Sequence, residues 1–129
     1  MNEVRLTLPF PPTVNHYYGK RAVRSKKTGK LTVVNYLTKV ARDYRYTVCE
    51  MMYEQLGKAP ELRGRLSMQV RLFNNAQTRS HDYDNGLKPI GDALEYSRVF
   101  INDSQIDQAL IIKKRRTLKP RVEIIINEM

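Results

Sequence analysis

Alternating apolar and polar positions mark the strands of this chain, because a strand with one buried face repeats every two residues. Near the N-terminus Val4, Leu6 and Leu8 alternate with polar residues as far as the prolines of PFPP, which lack the N–H that a strand ladder needs. The clearest alternation covers residues 65–72, whose even-numbered positions are all apolar and predict an inward face. Residues 108–116 and 121–127 are the remaining strands, and TLKP between them predicts that they form a hairpin.

Two helices are predicted from apolar residues that recur at three- and four-residue intervals. The longer helix covers residues 35–56, with Asn35 as its cap and Gly57 at its end. The shorter helix covers residues 84–96 and packs through Leu87, Ile90 and Leu94. The apolar face of the longer helix is expected to contain Leu37, Val40, Ala41, Tyr44, Val48, Met51 and Met52.

The predicted order is β–loop–α–β–α–β–β, which indicates an α/β (α+β) fold with a small mixed sheet packed by two helices. Residues 13–34 are polar, basic and glycine-containing, and predict a long loop with room for a short hairpin. A chain of 129 residues, 41% hydrophobic and 28% charged, is expected to form one globular domain over residues 1–129.

Several classes of protein are disfavoured by the sequence. No apolar run is long enough to span a bilayer, and the N-terminus lacks the features of a secretory signal, so we expect a cytoplasmic protein. The single cysteine, Cys49, excludes an intrachain disulfide and a cysteine-based zinc site, and it is interpreted as a core residue.

Charge is unevenly distributed along the chain, whose formal net charge is +10. Residues 4–42 contain nine basic residues and no acid, and a second basic block, KKRRTLKPR, follows at residues 113–121. Six of the 13 acids fall within residues 82–107, between these blocks. This arrangement favours a polyanion held by the basic blocks and processed at the acidic centre. Solubility is the alternative explanation, and an anionic membrane surface fits poorly because neither block has an apolar stripe.

The acidic centre contains a candidate metal site within HDYDNGLKPIGDAL, residues 81–94. Asp82 and Asp84 project to one side of an extended segment, Lys88 lies one helical turn beyond Asp84, and Asp103 precedes the next strand. Clustered carboxylates repel unless they hold a hard cation such as Mg²⁺ or Mn²⁺. Such a cation suits phosphodiester hydrolysis, with Lys88 near the charged phosphate. An ordinary helix cap at Asp84 and an i,i+4 ion pair with Lys88 are the structural alternative.

Candidate DNA contacts lie in the basic blocks. Basic residues of the predicted loop can follow a phosphate backbone, and the preceding aromatic residues can either stack on unpaired bases or anchor the loop to the core. The second block is either a solvated turn or a further phosphate contact. The candidates are Asn15, Tyr17, Tyr18, Lys20, Arg21, Arg24, Lys26, Lys27 and Lys30 in the first block, and Lys113, Lys114, Arg115 and Arg116 in the second.

The chain resembles the RusA family of Holliday junction resolvases over nearly its whole length. The resemblance rests on LPFPPTVNHYY after the first strand, on DYDNGLKPIGDAL, which is similar to the family core D-x-D-N-x-x-K-x-x-x-D-A-L, and on VFINDSQI. It implies a homodimeric, magnesium-dependent endonuclease, without an organic cofactor, that nicks opposing strands of a four-way DNA junction. A non-catalytic binder of branched DNA with the same fold is the alternative, and a bacterial cell, with a phage or prophage gene, is the expected setting.

The resemblance also implies roles for individual residues. Asp82, Asp84 and Asp103 match the metal-binding catalytic aspartates, and Lys88 matches the catalytic lysine. Asp92 matches a further acidic position of the motif. Asn102 is a departure, because the family often has a second aspartate there, and this substitution predicts weaker metal binding.

Overall fold

The computed structural model describes residues 3–12, 17–75, 86–117 and 119–129. It contains one mixed sheet, a separate two-stranded sheet and two helices, which confirms the predicted fold class. In chain order the elements are β1 (Glu3–Leu8), β2 (Tyr18–Arg24), β3 (Leu31–Leu37), α1 (Lys39–Leu56), β4 (Leu66–Asn75), α2 (Leu87–Tyr96), a short 3₁₀ helix (Asp103–Gln105), β5 (Ile106–Thr117) and β6 (Arg121–Glu128).

The main sheet has the strand order β1-β6-β4-β5. Strand β6 is antiparallel to both of its neighbours, and β5 runs parallel to β4. The predicted hairpin of residues 108–116 and 121–127 is therefore wrong, because β4 lies between β5 and β6. In this central position Val122, Ile124 and Ile126 are almost completely buried.

One face of the main sheet forms the core with both helices. Alternate residues of β1, β4 and β6 are buried there, as the period-two pattern predicts. Helix α1 buries Ala41, Tyr44, Val48 and Met52 against them, whereas Val40 is 54% exposed, so its predicted inward position is wrong. No helix in the described ranges is long and apolar enough to cross a membrane.

Helix α1 begins four residues later than the sequence predicts. Asn35 lies in β3 opposite Lys20, so it does not cap the helix. Thr38 does so instead, because its side chain accepts a hydrogen bond from the N–H of Ala41 at 3.2 Å. The predicted end is confirmed, since Gly57 adopts the left-handed conformation with a φ of 80°.

Strands β2 and β3 form an antiparallel hairpin within the segment that was predicted to be mainly loop. Its turn is closed by backbone hydrogen bonds between Ser25 and Lys30 and between Gly29 and Ser25, each 2.9 Å. Gly19 lies directly under the ring of Tyr36, where a Cβ atom would approach the ring to 2.4 Å. The short hairpin that the sequence left room for is therefore a two-stranded ribbon of seven residue pairs.

Candidate functional site

A line of polar side chains follows helix α2, which carries most of the family-like motif. The ammonium of Lys88 lies 3.1 Å from Oδ1 of Asp92, one helical turn further along. The Lys88 side chain is 51% exposed and that of Asp92 only 14%, so the lysine is accessible while its partner is largely covered. Glu95 continues the line at the next turn, because residues at i, i+4 and i+7 share a helix face.

Tyr17 holds the second oxygen of Asp92. Its hydroxyl donates a hydrogen bond to Oδ2 at 2.8 Å, and its ring is completely buried. Burial, followed by the hydrogen bond to Asp92, raises the pKa of the phenol well above its ordinary value of 10.0, while Arg45 acts in the opposite direction. Tyr17 is therefore a neutral donor, and both oxygens of Asp92 are engaged.

The base-stacking interpretation of Tyr17 is corrected by this burial, since a fully buried ring cannot stack on a base. The anchoring alternative agrees with the structure, because the backbone of Tyr17 also accepts a 3.1 Å hydrogen bond from the N–H of Thr38. Tyr17 directly precedes β2, so it connects the base of the basic hairpin to helix α2. Asn15 lies outside the described residues, as does the side chain of Tyr18.

Asp103 lies just beyond the C-terminal end of α2, at the first position of the 3₁₀ helix. Its backbone N–H donates to Oε1 of Glu95 at 2.9 Å, and its side chain is exposed. Within the described ranges, no hydrogen bond or ion pair engages its carboxylate. The structure thus holds the backbone of Asp103 and leaves its carboxylate accessible.

Asn102 and Gln105 form a reciprocal capping box around Asp103. Oδ1 of Asn102 accepts from the N–H of Ser104 at 2.8 Å, and Oε1 of Gln105 accepts from the N–H of Asn102 at 2.8 Å. Gln105 is buried and also donates to the carbonyl oxygens of Leu62 and Gly64, both at 2.9 Å. Sequence reasoning missed Gln105, although the N-x-x-Q spacing of a capping box was present in NDSQ.

Of the four predicted catalytic residues, the structure describes Lys88 and Asp103. Lys88 lies in the first turn of α2, and Asp103 is held by Glu95 in its last turn, about 10 Å further along the helix axis. Asp82 and Asp84 lie outside the described residues, and so the three-carboxylate cluster stays a prediction. Among the residues that are described, no group of three His, Cys, Asp or Glu side chains could hold a metal ion.

The N-terminal end of α2 is packed against the segment that follows β1. Gly86 is buried there, and a Cβ atom on it would lie 2.5 Å from Cγ of Pro11. The glycine of the DNG sequence and the proline of PFPP therefore meet in space. This contact fixes the position at which helix α2 begins.

The first basic block is displayed on the β2–β3 hairpin. Arg21 lies over the ring of Tyr36 at 5.8 Å, and Arg24 donates to the carbonyl oxygen of Gly29 at 2.7 Å, so these two have structural contacts as well. Exposed apolar residues, including Val33 at 66%, accompany the charges. The predicted contacts Lys20, Arg21, Arg24, Lys26, Lys27 and Lys30 all have exposed side chains.

The four predicted contacts of the second basic block, residues 113–116, lie on β5 rather than on a hairpin tip. Lys113 and Lys114 have exposed side chains. Arg115 and Arg116 belong to the same strand, and their side chains lie outside the described part. These four residues therefore lie in the C-terminal half of an edge strand.

Comparison with known proteins gives a consistent result. A family model described as "Endodeoxyribonuclease RusA" matches residues 9–127. The chain is similar to proteins named crossover junction endodeoxyribonuclease RusA from Enterobacteria phage HK97 and Escherichia coli strain K12, each 27% identical over 129 residues, and from Enterobacteria phage 82, 27% identical over 132 residues. In all three cases the match covers 100% of this chain and 98% of the relative.

Proposed function

The chain belongs to the family of RusA endodeoxyribonucleases, and from this premise we propose that it is a metal-dependent nuclease that resolves four-way DNA junctions by paired, symmetric nicks. The observation that carries the proposal is that Lys88 and Glu95 share one face of α2 and that Glu95 holds the backbone N–H of Asp103, within a chain that matches the family over residues 9–127. Relatives from two phages and from Escherichia coli support a bacterial cell as the setting, with the cytoplasm as the place of action.

The donor chemistry of the site fits a divalent metal ion. RusA-family nucleases generally depend on a divalent metal. Asp103 offers an accessible carboxylate, and Asp82 and Asp84 would supply two more oxygen ligands of the kind that Mg²⁺ and Mn²⁺ prefer. When bound, the ion would neutralise phosphate charge and lower the pKa of a water ligand.

The residues around α2 have roles of their own in this proposal. Lys88 places a positive charge beside the scissile phosphate, and Asp92 keeps that charge in position because Tyr17 fixes its other oxygen. Tyr17 and Asp92 are thus positioning residues. The ribbon of β2 and β3 contacts phosphates through its exposed lysines and arginines.

A homodimer is the proposed active form. A four-way junction has approximate two-fold symmetry, and its productive resolution needs two cuts. A dimer with two-fold symmetry presents one site to each of two opposing strands.

The experiment that tests the function uses a synthetic four-way junction with Mg²⁺ or with EDTA. We expect the wild-type protein to produce paired nicks only with the metal. Asp84→Asn and Asp103→Asn should each lower the cleavage rate at least about a hundredfold while junction binding is retained, because even supporting partners of metal ligands contribute ten- to hundredfold. Asp43→Asn, in an exposed ion pair with Lys39 on α1, is the control and should cleave normally.

Two outcomes would overturn the proposal. Cleavage that persists in EDTA would contradict metal dependence. Junction binding without cleavage in Mg²⁺ or Mn²⁺ would instead indicate a non-catalytic binder of branched DNA.

A further inference from the structure

The two edge strands of the main sheet, β1 and β5, differ in how their outward backbone groups are satisfied within the described residues. Along β1, the side chain of Gln55 from α1 occupies the outer edge: its Oε1 accepts from the N–H of Thr7 at 2.8 Å, and its Nε2 donates to the carbonyl oxygen of Thr7 at 2.7 Å. A side-chain amide in this arrangement satisfies the edge in the way that a neighbouring strand would. Edge strands that are satisfied in this way cannot pair with another chain at that position.

Strand β5 forms the opposite edge and is 12 residues long. Within the described ranges it pairs with β4 on one side, and no strand lies against its other side. Residues 107–110 are exposed, and Leu110 is exposed to 58% of its surface. A long edge with an exposed apolar centre is a template for pairing with a further strand.

The sequence of β5, IDQALIIKKRRT, complements itself when two copies run antiparallel. An acid stands near its start, apolar residues follow, and basic residues occupy its end. If Leu110 of one copy faces Leu110 of another, Asp107 of each copy faces Lys113 of the other, because both lie three residues from the centre. Opposite charges at facing positions stabilise an antiparallel pair, and apolar residues at its centre bury surface.

We propose that β5 pairs with β5 of a second copy of this chain about a two-fold axis at Leu110, so that the two main sheets become one continuous sheet of eight strands. The inference rests on the proposed function, whose homodimer it locates on the molecule. Residues that lie directly opposite each other in an antiparallel pair project to the same side of the sheet, so the core faces of the two joined sheets lie on the same side. The helices α2 of both copies therefore lie on one face, where a single junction can reach them.

Replacement of the central apolar residue is the first test. Leu110→Lys puts two ammonium groups opposite each other at the axis, and Val33→Lys, at an exposed position of the β2–β3 hairpin, is the matched control. By light scattering during size-exclusion chromatography, we expect twice the chain mass of 15.1 kDa for the wild type and for Val33→Lys, and the single chain mass for Leu110→Lys. Circular dichroism checks that all three are folded.

Charge exchange tests the register. Asp107→Lys should weaken the dimer, and the double variant Asp107→Lys with Lys113→Asp should restore it. The recovery cannot arise within one chain, because six strand residues separate the two positions by about 20 Å. Nor can it restore the ion pair between Arg65 and Asp107, which both variants lack.

The outcomes separate this inference from the proposed function. A monomeric wild type, or a Leu110→Lys variant that stays dimeric, overturns the β5 interface even if the wild type cleaves junctions. Under the first of these outcomes, the lysines of β5 serve to guard its edge against pairing. A wild type that dimerises through β5 but cleaves no junction leaves the interface standing and overturns the nuclease.

Discussion

The hydroxyl of Tyr17 donates a 2.8 Å hydrogen bond to Oδ2 of Asp92, 75 residues further along the chain. The same carboxylate holds the ammonium of Lys88 at 3.1 Å. The base of the basic hairpin and the helix with the candidate catalytic lysine are thus joined through one side chain. This relationship explains why the motif contains an acid four residues beyond the lysine.

Tyr17→Phe removes the hydroxyl and leaves an oxygen of Asp92 without its donor. Because the pair is largely buried and the acceptor is charged, we expect a loss of about 1 to 3 kcal/mol in the free energy of unfolding. Urea denaturation measures it. Tyr53→Phe is the control, since Tyr53 is 49% exposed, and its free energy of unfolding should stay within the error of the wild-type value. Equal stability of Tyr17→Phe and the wild type would contradict the anchoring role.

Asp92→Asn keeps an oxygen for Tyr17 and removes the charge that holds Lys88. We expect the single-turnover rate of junction cleavage to fall about ten- to hundredfold, because the lysine loses its position. The junction affinity should change little, whereas the melting temperature should fall because the hydrogen bond from Tyr17 loses its charged acceptor. Asp92→Glu should recover part of the rate because it restores a carboxylate. Asp43→Asn, which breaks an ion pair of the same i,i+4 spacing on α1, should leave the rate unchanged. If the cleavage rates of the Asp92 variants fall only in proportion to their losses of stability, Asp92 has a structural role and does not position Lys88.

Salt dependence of junction binding reports the phosphate contacts of the β2–β3 hairpin. Lys20→Gln and Arg21→Gln should each reduce the slope of log affinity against log salt concentration by about 0.9, the value for one lost phosphate contact on duplex DNA. Fluorescence anisotropy with a labelled junction measures the slope. Lys58→Gln changes the net charge equally at an exposed position after α1 and serves as the control. An equal reduction in all three variants would indicate an effect of total charge alone.

Glu61 and Arg98 form an ion pair whose contribution to the free energy of unfolding is expected to depend on pH. Both adopt positive φ angles, 52° and 60°, and they are joined by a 2.9 Å backbone hydrogen bond and by an ion pair of 2.7 Å. The hydrogen bond from Arg98, and then its charge, lower the pKa of Glu61 below its ordinary value of 4.5. A depressed folded-state pKa means that the stabilisation is present above the unfolded-state pKa and is lost as the pH falls through the folded-state pKa.

The prediction compares the wild type with Glu61→Gln by urea denaturation across a pH series. The wild type should be the more stable protein near neutral pH. The difference should begin to shrink below pH 4.5 and disappear once the pH lies below the depressed folded-state pKa of Glu61, as the carboxyl takes up its proton. Because the pair is exposed, added salt should also reduce the difference. A difference that stays constant across the series would assign the effect to something other than this ion pair.

Much of the architecture could be read from local patterns. The alternation in β1, β4 and β6 predicted which residues face the core, and Gly57 predicted the end of α1, because side-chain direction and helix termination depend on neighbouring residues. The start of α1 could not be read in this way. Asn35 is a good cap in isolation, but pairing with Lys20 in the hairpin takes it into β3, and Thr38 caps the helix instead.

In the candidate site, too, contacts between residues close in sequence could be predicted and contacts between distant residues could not. The sequence suggested an i,i+4 ion pair of Lys88 with Asp84, whereas the structure shows one of Lys88 with Asp92. That pair has the same local spacing and could have been predicted, since residues four apart on a helix are neighbours whatever the rest of the fold does. The partner of Asp103 was not predicted, because Glu95 reaches its N–H only after the chain has turned at the end of α2.

By itself the sequence determined the fold class, the family and the amphipathic faces, since composition, motif spacing and side-chain period are properties of neighbouring residues. Only the tertiary structure decided that β6 inserts between β1 and β4, that Tyr17 is an internal anchor rather than a stacking surface, and that Gln55 covers the outer edge of β1. These outcomes depend on which distant segments bury the most apolar surface together and satisfy each other's polar groups, and no local pattern contains that information.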